Sequence, residues 1–476
     1  MTLEAFVVGL QPFFLFYICL LFFVYFSLFL LAYLPFRNRS RARLSWAELS
    51  REPEAWPPVA VILPAFNEEA VIVDCVKNML RLDYPELEVV VVCDGPSDRT
   101  FEVLVEAFEM HETDYELRQD FVTQPVLKIM TSPHYENLRV VLKQNGGKAD
   151  ALNAGLNLAR TPLVCCCDAD TLIEPKAMRH LVRPYQEDDS TVATSGALML
   201  TNGATFNGGI AVEVRAPRNW WASIQVVEYT RAFYLGRMGF DAFSSMLIIS
   251  GAFGLFNRHA LVAVGGYNPN TVGEDMDIVV KLHRHYRKTN TPYRIAYVPS
   301  AVAWTEAPES LKMLRSQRMR WQRGLCEVMI MHRGMPFDKR AGAPGRIAWF
   351  HFLFFEALAP VVELLGYLCL IAVLYLGFRH WDAWGAMLAL SMALLGVVTL
   401  ASLLVQQLHA PVVSRPTDIL KLLASAVVDM AYFKPLTAIW RVHAMVQFFK
   451  GSPARWDPIS RKGFDNQKDG QTRQKT

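Results

Sequence analysis

The chain has 476 residues, 52% of them hydrophobic and 20% charged, with 48 Lys and Arg against 45 Asp and Glu for a net charge of +3. That balance excludes the global basic excess of a nucleic-acid binder, and so apolar and aromatic a composition excludes disorder. A chain half apolar yet one-fifth charged is neither an ordinary soluble protein nor one buried in lipid throughout, so its apolar residues must be segregated.

The first element is apolar. From Ala5 to Phe36 there is no charged residue, and Phe13–Leu34 alone covers a bilayer core of about 30 Å at about 1.5 Å per residue. It reads as a transmembrane helix, not a cleaved signal peptide, because it begins with Glu4 and runs long. Arg37, Arg39, Arg41 and Arg43 follow at once, which assigns that side to the cytoplasm. The expected organisation is a membrane segment (1–36), a basic juxtamembrane linker (37–58), a cytosolic globular domain including interfacial helices (59–346), C-terminal membrane or interfacial helices (347–449) and a basic cytoplasmic tail (450–476).

Within the globular stretch, strands and helices alternate. The β-branched run Val59–Leu63 stops at Pro64, and Val73, Val76 and Leu80 recur at helical spacing, predicting a helix over Asn67–Leu82. Val89–Cys93 opens with four valines, apolar throughout as a parallel strand covered on both faces should be. A strand near Leu138–Leu142, a helix over Lys148–Ala159 and a strand over Leu163–Cys167 complete the series. The expected class is α/β, an open and mostly parallel sheet flanked by transmembrane α-helices. Adjacent side chains of a strand point to opposite faces, so Cys165, Cys166 and Cys167 read as buried filler and not as a metal cluster.

Two further apolar segments, Ala348–Phe378 and Ala386–Val405, are candidate spans. Ile419–Phe449 carries Asp429, Lys434, Arg441 and His443; each charge costs about 2.5–3.5 kcal/mol at a bilayer centre, which predicts an interfacial or kinked helix there.

Open α/β sheets bind ligands outside the carboxyl ends of their strands. The four strand ends read Pro64-Ala65-Phe66-Asn67-Glu68, Asp94-Gly95, Asn145-Gly146-Gly147-Lys148 and Asp168-Ala169-Asp170. Singly, Asn67 suits a helix cap, Asp94 a turn and Lys148 a solvated first turn. Jointly they set acidic groups and a lysine on one edge, and an Asp-x-Asp pair suits a divalent cation that completes its shell with phosphate oxygens. Downstream, Glu274-Asp275 opens a helix, and Gln317, Arg320 and Trp321 fall within about one helical turn. Arginines suit phosphate and a tryptophan face suits a sugar ring, with a basic helix at a membrane surface as the bland reading.

These motifs, in this order, resemble the membrane-embedded family 2 glycosyltransferases of GT-A fold, the group of cellulose, chitin, hyaluronan and poly-N-acetylglucosamine synthases. The resemblance rests on Pro64-Ala65-Phe66-Asn67-Glu68, Asp94, Lys148-Ala149-Asp150-Ala151-Leu152-Asn153, Asp168-Ala169-Asp170, Glu274-Asp275 and Gln317-x-x-Arg320-Trp321. It implies that Phe66, Glu68 and Asp94 bind the nucleoside of a UDP-sugar with Lys148 nearby, and that Asp168 and Asp170 hold the nucleotide and Mg²⁺ or Mn²⁺. It further implies Asp275, next to Glu274, as catalytic base, Gln317 and Arg320 on the diphosphate, and Trp321 stacked on the acceptor's terminal sugar. The family often has Tyr at Phe66 and Thr at Gly273, and the segment from His111 to His134 is extra to its common pattern.

The implied protein is a multi-pass plasma (inner) membrane enzyme with a cytoplasmic catalytic domain, adding glucose or N-acetylglucosamine from a UDP-sugar to a β-linked polysaccharide by inversion. Its partners would be the donor, a glycan or lipid-linked acceptor, the bilayer and an accessory membrane or export subunit, without nucleic acid. The alternative is single transfer to a lipid acceptor; an inactive scaffold is disfavoured by the intact Asp168, Asp170 and Asp275. Glu356 and Glu363 lie seven residues apart on one helix face. A glycan path and helix-to-helix hydrogen bonding are equal readings of that face.

Overall fold

The computed structural model describes residues 2–39, 56–207, 210–377, 379–410, 413 and 415–452. Most of the expected juxtamembrane linker, 37–58, and of the basic tail, 450–476, lies outside the described residues. The described chain forms two compact units, one from residues 56–214 and 246–307, the other from 2–39, 215–245 and 308–452.

The first unit is built on a ten-stranded sheet. Its strands are β1 (Val59–Ala65), β2 (Leu87–Asp94), β3 (His111–Glu112), β4 (Val126–Thr131), β5 (Leu138–Lys143), β6 (Leu163–Cys167), β7 (Leu172–Ile173), β8 (Thr191–Leu200), β11 (Phe253–Asn257) and β12 (Arg294–Thr305). A separate ribbon pairs β9 (Ala204–Asn207) with β10 (Ile210–Val214). The strand order is β3-β4-β5-β2-β1-β6-β11-β8-β12-β7. Its centre, β5-β2-β1-β6, is parallel throughout, as the β-branched runs imply. Val59, Ala60, Val61, Ile62 and Leu63 of β1 are all fully buried, as are Val89 to Cys93 of β2. Ala65 stands opposite Cys93, and Asp94 opposite Lys143, so these strands end at one level.

Beyond the parallel core the sheet turns antiparallel on both sides, through β4 on β5 and β11 on β6. The strand β4 lies in the segment His111–His134 that the sequence pattern leaves without an element. Only part of it is buried, which is why its apolar signal is weak. The helix predicted over Asn67–Leu82 is shorter, α2 (Ile72–Leu80). Asn67 has φ 57° and binds the loop after β2 instead of capping that helix. Its Oδ1 accepts from Ser97 N at 2.8 Å, and its Nδ2 donates to Ser97 Oγ at 3.0 Å.

Helix α3 (Thr100–Phe108) follows β2, and α4 (Lys148–Leu158) follows β5. Nearly every residue of α4 is buried, including Asn153 and Asn157. Such amides must find partners. Asn153 exchanges two hydrogen bonds with the backbone of Tyr267, at 2.8 and 2.9 Å. Asn157 does the same with Phe121, at 2.8 and 3.0 Å. One buried helix therefore pins two loops.

The second unit holds the apolar helices, the first of them α1 (Leu3–Arg39). Among the described residues four stretches are long and apolar enough to cross a membrane: Leu3–Tyr33, Pro344–Tyr375, Trp381–Gln407 and Pro416–Phe449. The last, expected to be interfacial or kinked, is α-helical over Pro416–Val428 and Lys434–Phe449 with a π-turn at Asp429–Phe433 between them. The widened turn coincides with its charged residues, Asp429 and Lys434. The stretch 215–245, expected within one globular domain, belongs to this unit. Its helix α5 (Trp220–Arg231) is capped by Asn219, whose Oδ1 accepts from Trp221 N at 2.8 Å. It buries Ile224 against Leu314 and Phe433.

Candidate active site

The carboxyl ends of β1, β2, β5 and β6 and the start of α6 (Glu274–Thr289) gather the predicted acidic residues within the sheet unit. The loop after β1 is laced to the loop after β2. Glu68 N donates to Thr100 Oγ1 at 2.7 Å, Glu69 N to Asp98 Oδ2 at 3.2 Å, and Arg99 N to Glu69 Oε2 at 3.0 Å. Phe66 projects from this loop with 40% of its surface exposed.

Asp94 is buried. Its Oδ1 accepts from Gly146 N at 3.0 Å and its Oδ2 from Gly147 N at 2.7 Å, and it is ion-paired with Lys143. Lys143 is itself fully buried and reaches Asp150 at 2.6 Å. A lysine without solvent is tolerated only when paired in this way. Lys143 and Asp150 escape sequence reasoning as site members, although Asp150 stands inside the Lys148-Ala149-Asp150 run. The signal was a lysine closing a strand after the apolar run Val140-Val141-Leu142. Gly147 has φ 86°, a conformation open to glycine and strained for other residues, and it starts α4 so that Lys148 falls in the first turn.

Lys148 is the hub of the site. Its Nζ lies 2.5 Å from Asp168 Oδ1 and 3.6 Å from Glu274 Oε1. Burial alone would lower its pKa, but the carboxylates of Asp168, Glu274 and Asp275 outweigh burial and hold it above the usual lysine range. A small pocket beside it is lined by Lys148, Cys166, Ser250, Gly251, Tyr267 and Asp275, among others. Burial pushes the Cys166 thiol up to about 12, so it is an uncharged wall. A Cβ on Gly251 would come within 2.7 Å of Lys148 Nζ.

Asp168 is part-exposed, whereas Asp170 is buried and accepts from Thr305 Oγ1 at 3.3 Å. Among the described residues no group of three or more His, Cys, Asp or Glu is placed to hold a metal ion by itself. Two carboxylates fit a hard dication only when a ligand brings further oxygens, as a diphosphate does. Asp275 begins α6, and its Oδ1 accepts from Met276 N at 2.9 Å. The helix start favours its ionised form.

The remaining predicted residues stand in the other unit, on α7 (Leu311–Met331). Trp321 is 41% exposed, with the Arg318 guanidinium 4.7 Å from its ring centroid. Arg318 in turn pairs with Glu228 of α5 at 2.5 Å. Gln317 and Arg320 are half-buried. The neighbouring Gln322 is buried, donates to Ala357 O at 3.0 Å and accepts from Arg441 Nε at 2.7 Å.

A family model described as glycosyltransferase like family 2 matches residues 57–324. The chain belongs to this glycosyltransferase family. Over 272 residues the glycosyltransferase is 28% identical to a poly-beta-1,6-N-acetyl-D-glucosamine synthase of Staphylococcus epidermidis, covering 57% of this chain and 55% of that one. It is 29% identical over the same length and shares to the synthase of Staphylococcus aureus strain COL. The alignment thus spans little more than half the length of these relatives. Among solved structures, a mannosyltransferase from Pyrobaculum calidifontis in complex with GDP-Man and Mn²⁺ superposes with a TM-score of 0.53 at 16% identity, covering 95% of this chain and all of that one. That likeness establishes a shared GT-A-like fold.

Proposed function

We propose that this glycosyltransferase is a processive, inverting enzyme that transfers N-acetylglucosamine or glucose from a UDP-sugar to a growing β-linked polysaccharide at a membrane. The observation that carries the reading is the convergence of Lys148, Glu274 and Asp275 on one pocket, with Asp168 ion-paired to Lys148 at 2.5 Å. The polysaccharide product is favoured by the relatives' synthase activity and by the exposed Trp321 face.

In this mechanism Asp275 accepts the proton of an acceptor hydroxyl as that oxygen attacks the anomeric carbon from the face opposite the leaving UDP. The bond from that carbon to the diphosphate oxygen breaks, and the configuration inverts. A positioned base contributes about 10²–10⁴-fold. Asp168 and Asp170 would hold Mg²⁺ or Mn²⁺, which neutralises charge developing on the departing diphosphate. Phe66 and Glu68 serve the nucleoside. Asp94, whose oxygens already hold Gly146 and Gly147, shapes the loop that presents Lys148. Gln317 and Arg320 keep their assignment to the diphosphate, and Trp321 to the acceptor sugar.

The four apolar helices give the proposal its membrane setting, with the sheet unit cytoplasmic and with donor, acceptor glycan, bilayer and an export subunit as partners. The test is incubation of the purified full chain with UDP-N-acetylglucosamine, UDP-glucose or GDP-mannose and Mn²⁺, followed by sizing of the product. A polymer from a UDP-sugar is expected. A single sugar added to a lipid would replace the polymer reading with the lipid-acceptor one.

A further inference from the structure

The position of Lys148 raises a question that the mechanism leaves open. Its Nζ sits against the part-exposed Asp168 oxygen, 2.5 Å away, with Glu274 at 3.6 Å. That oxygen is the accessible carboxylate donor of the Asp-x-Asp pair, since Asp170 is buried against Thr305. An ammonium and a dication bound to one oxygen would lie within about 5 Å of each other, given metal–oxygen bonds of about 2.1 Å, and repel strongly.

We infer that Lys148 is a resident counter-ion that keeps the divalent cation off Asp168 until a nucleotide diphosphate arrives to take the ammonium over. The inference rests on the proposed function and deepens it, because it sets the order in which the ligands bind.

Three features make the lysine a transferable cation. Its ammonium is held by ion pairs, to Asp168 at 2.5 Å and to Glu274 at 3.6 Å, and by no covalent or backbone constraint at Nζ. It is anchored in the first turn of α4, behind a loop fixed through Asp94, Gly146 and Gly147, so only its flexible stem moves. Finally, Nζ packs closely against Gly251, where a Cβ would stand only 2.7 Å away. Any side chain there would press the ammonium out of its seat. When a diphosphate enters, its oxygens give Lys148 charge-assisted acceptors in place of Asp168. Asp168 is then released to the cation, and nucleotide and metal bind interdependently.

The experiment is Mn²⁺ titration of the purified full-length protein, following the free-Mn²⁺ electron paramagnetic resonance signal with and without UDP. The wild type should bind Mn²⁺ at least tenfold more weakly without UDP than with it. Lys148→Met should bind Mn²⁺ without UDP at least tenfold more tightly than the wild type, and largely lose the dependence on UDP. Gly251→Ala, which leaves every charge in place, should move the UDP-free affinity in the same direction by a smaller factor. This guards against misfolding of the lysine variant. If Mn²⁺ binds all three proteins in the presence of UDP but neither variant gains affinity without it, the counter-ion role is overturned and the proposed function stands. If Mn²⁺ binds none of them, with or without UDP, both fall.

Discussion

The helical unit and the strand-end cluster of the sheet unit arrange charge in opposite ways. In the helical unit acids and bases meet one to one: Asp429 with Arg231 at 2.7 Å, Glu228 with Arg318 at 2.5 Å, Glu363 with Lys434 at 3.6 Å and Glu356 with Arg441 at 4.0 Å. In the sheet unit one ammonium, Lys148, faces three carboxylates, those of Asp168, Glu274 and Asp275. Matched pairs satisfy an apolar environment and hold helices together. An unmatched cluster is electrostatically costly alone, and it persists where a charged ligand is bound. Charge imbalance therefore marks the site, and charge balance marks the scaffold.

The largest expected effect tests the unmatched cluster. Asp275→Asn should lower sugar transfer by about 10²–10⁴-fold while UDP binding, measured by calorimetry, stays within a few-fold. Wild-type turnover in that variant would remove Asp275 from the role of base. On the matched side, Asp429 is fully buried, so Asp429→Ala strands Arg231. A loss of about 3–5 kcal/mol is expected in detergent unfolding. Replacing both residues by apolar ones should recover most of it; if the double variant is no better than the single, pairing is not what Asp429 provides.

A third contrast is a buried group without any charge. His283 of α6 is held between Tyr293 Oη at 2.6 Å and Met246 O at 2.8 Å, and burial lowers its pKa to about 4. The unfolded ring, near 6.5, takes up a proton first as pH falls, so stability is full above about pH 6.5 and is lost towards pH 4. The total is about 3 kcal/mol. His283→Gln should flatten that part of the curve of melting temperature against pH. The smallest effect is expected for Glu356→Gln with Glu363→Gln. Their partners on the helix Lys434–Phe449 lie at 4.0 and 3.6 Å, loose pairs worth about 0–1 kcal/mol each. Unchanged polymer export in the double variant would leave them as helix-to-helix contacts alone and end the glycan-path reading.

Much of the fold was legible because its signals are local. Four-valine and β-branched runs announce parallel buried strands, and uncharged stretches announce apolar helices. The motif residues Asp168, Glu274 and Asp275 were visible because each directly follows a strand or opens a helix. The strand β4 was not visible, since only Ile129 and Met130 of its six residues are buried. Nor was the left-handed Asn67, whose role depends on Ser97, 30 residues away. Lys143 was hidden for a related reason: a lysine at a strand end reads as solvated until Asp94 and Asp150 are seen to enclose it.

The sequence by itself determined the alternation of strands and helices, the apolar segments and the roster of charged residues at the strand ends, all consequences of periodicity and of neighbours in the chain. Only the tertiary structure decided which charges meet. It seated Lys148 between Asp168 and Glu274 and close against Gly251, buried Lys143, and placed 215–245 with the apolar helices. Electrostatic partnership depends on distance and burial across elements far apart in the chain, and neither is encoded in local pattern.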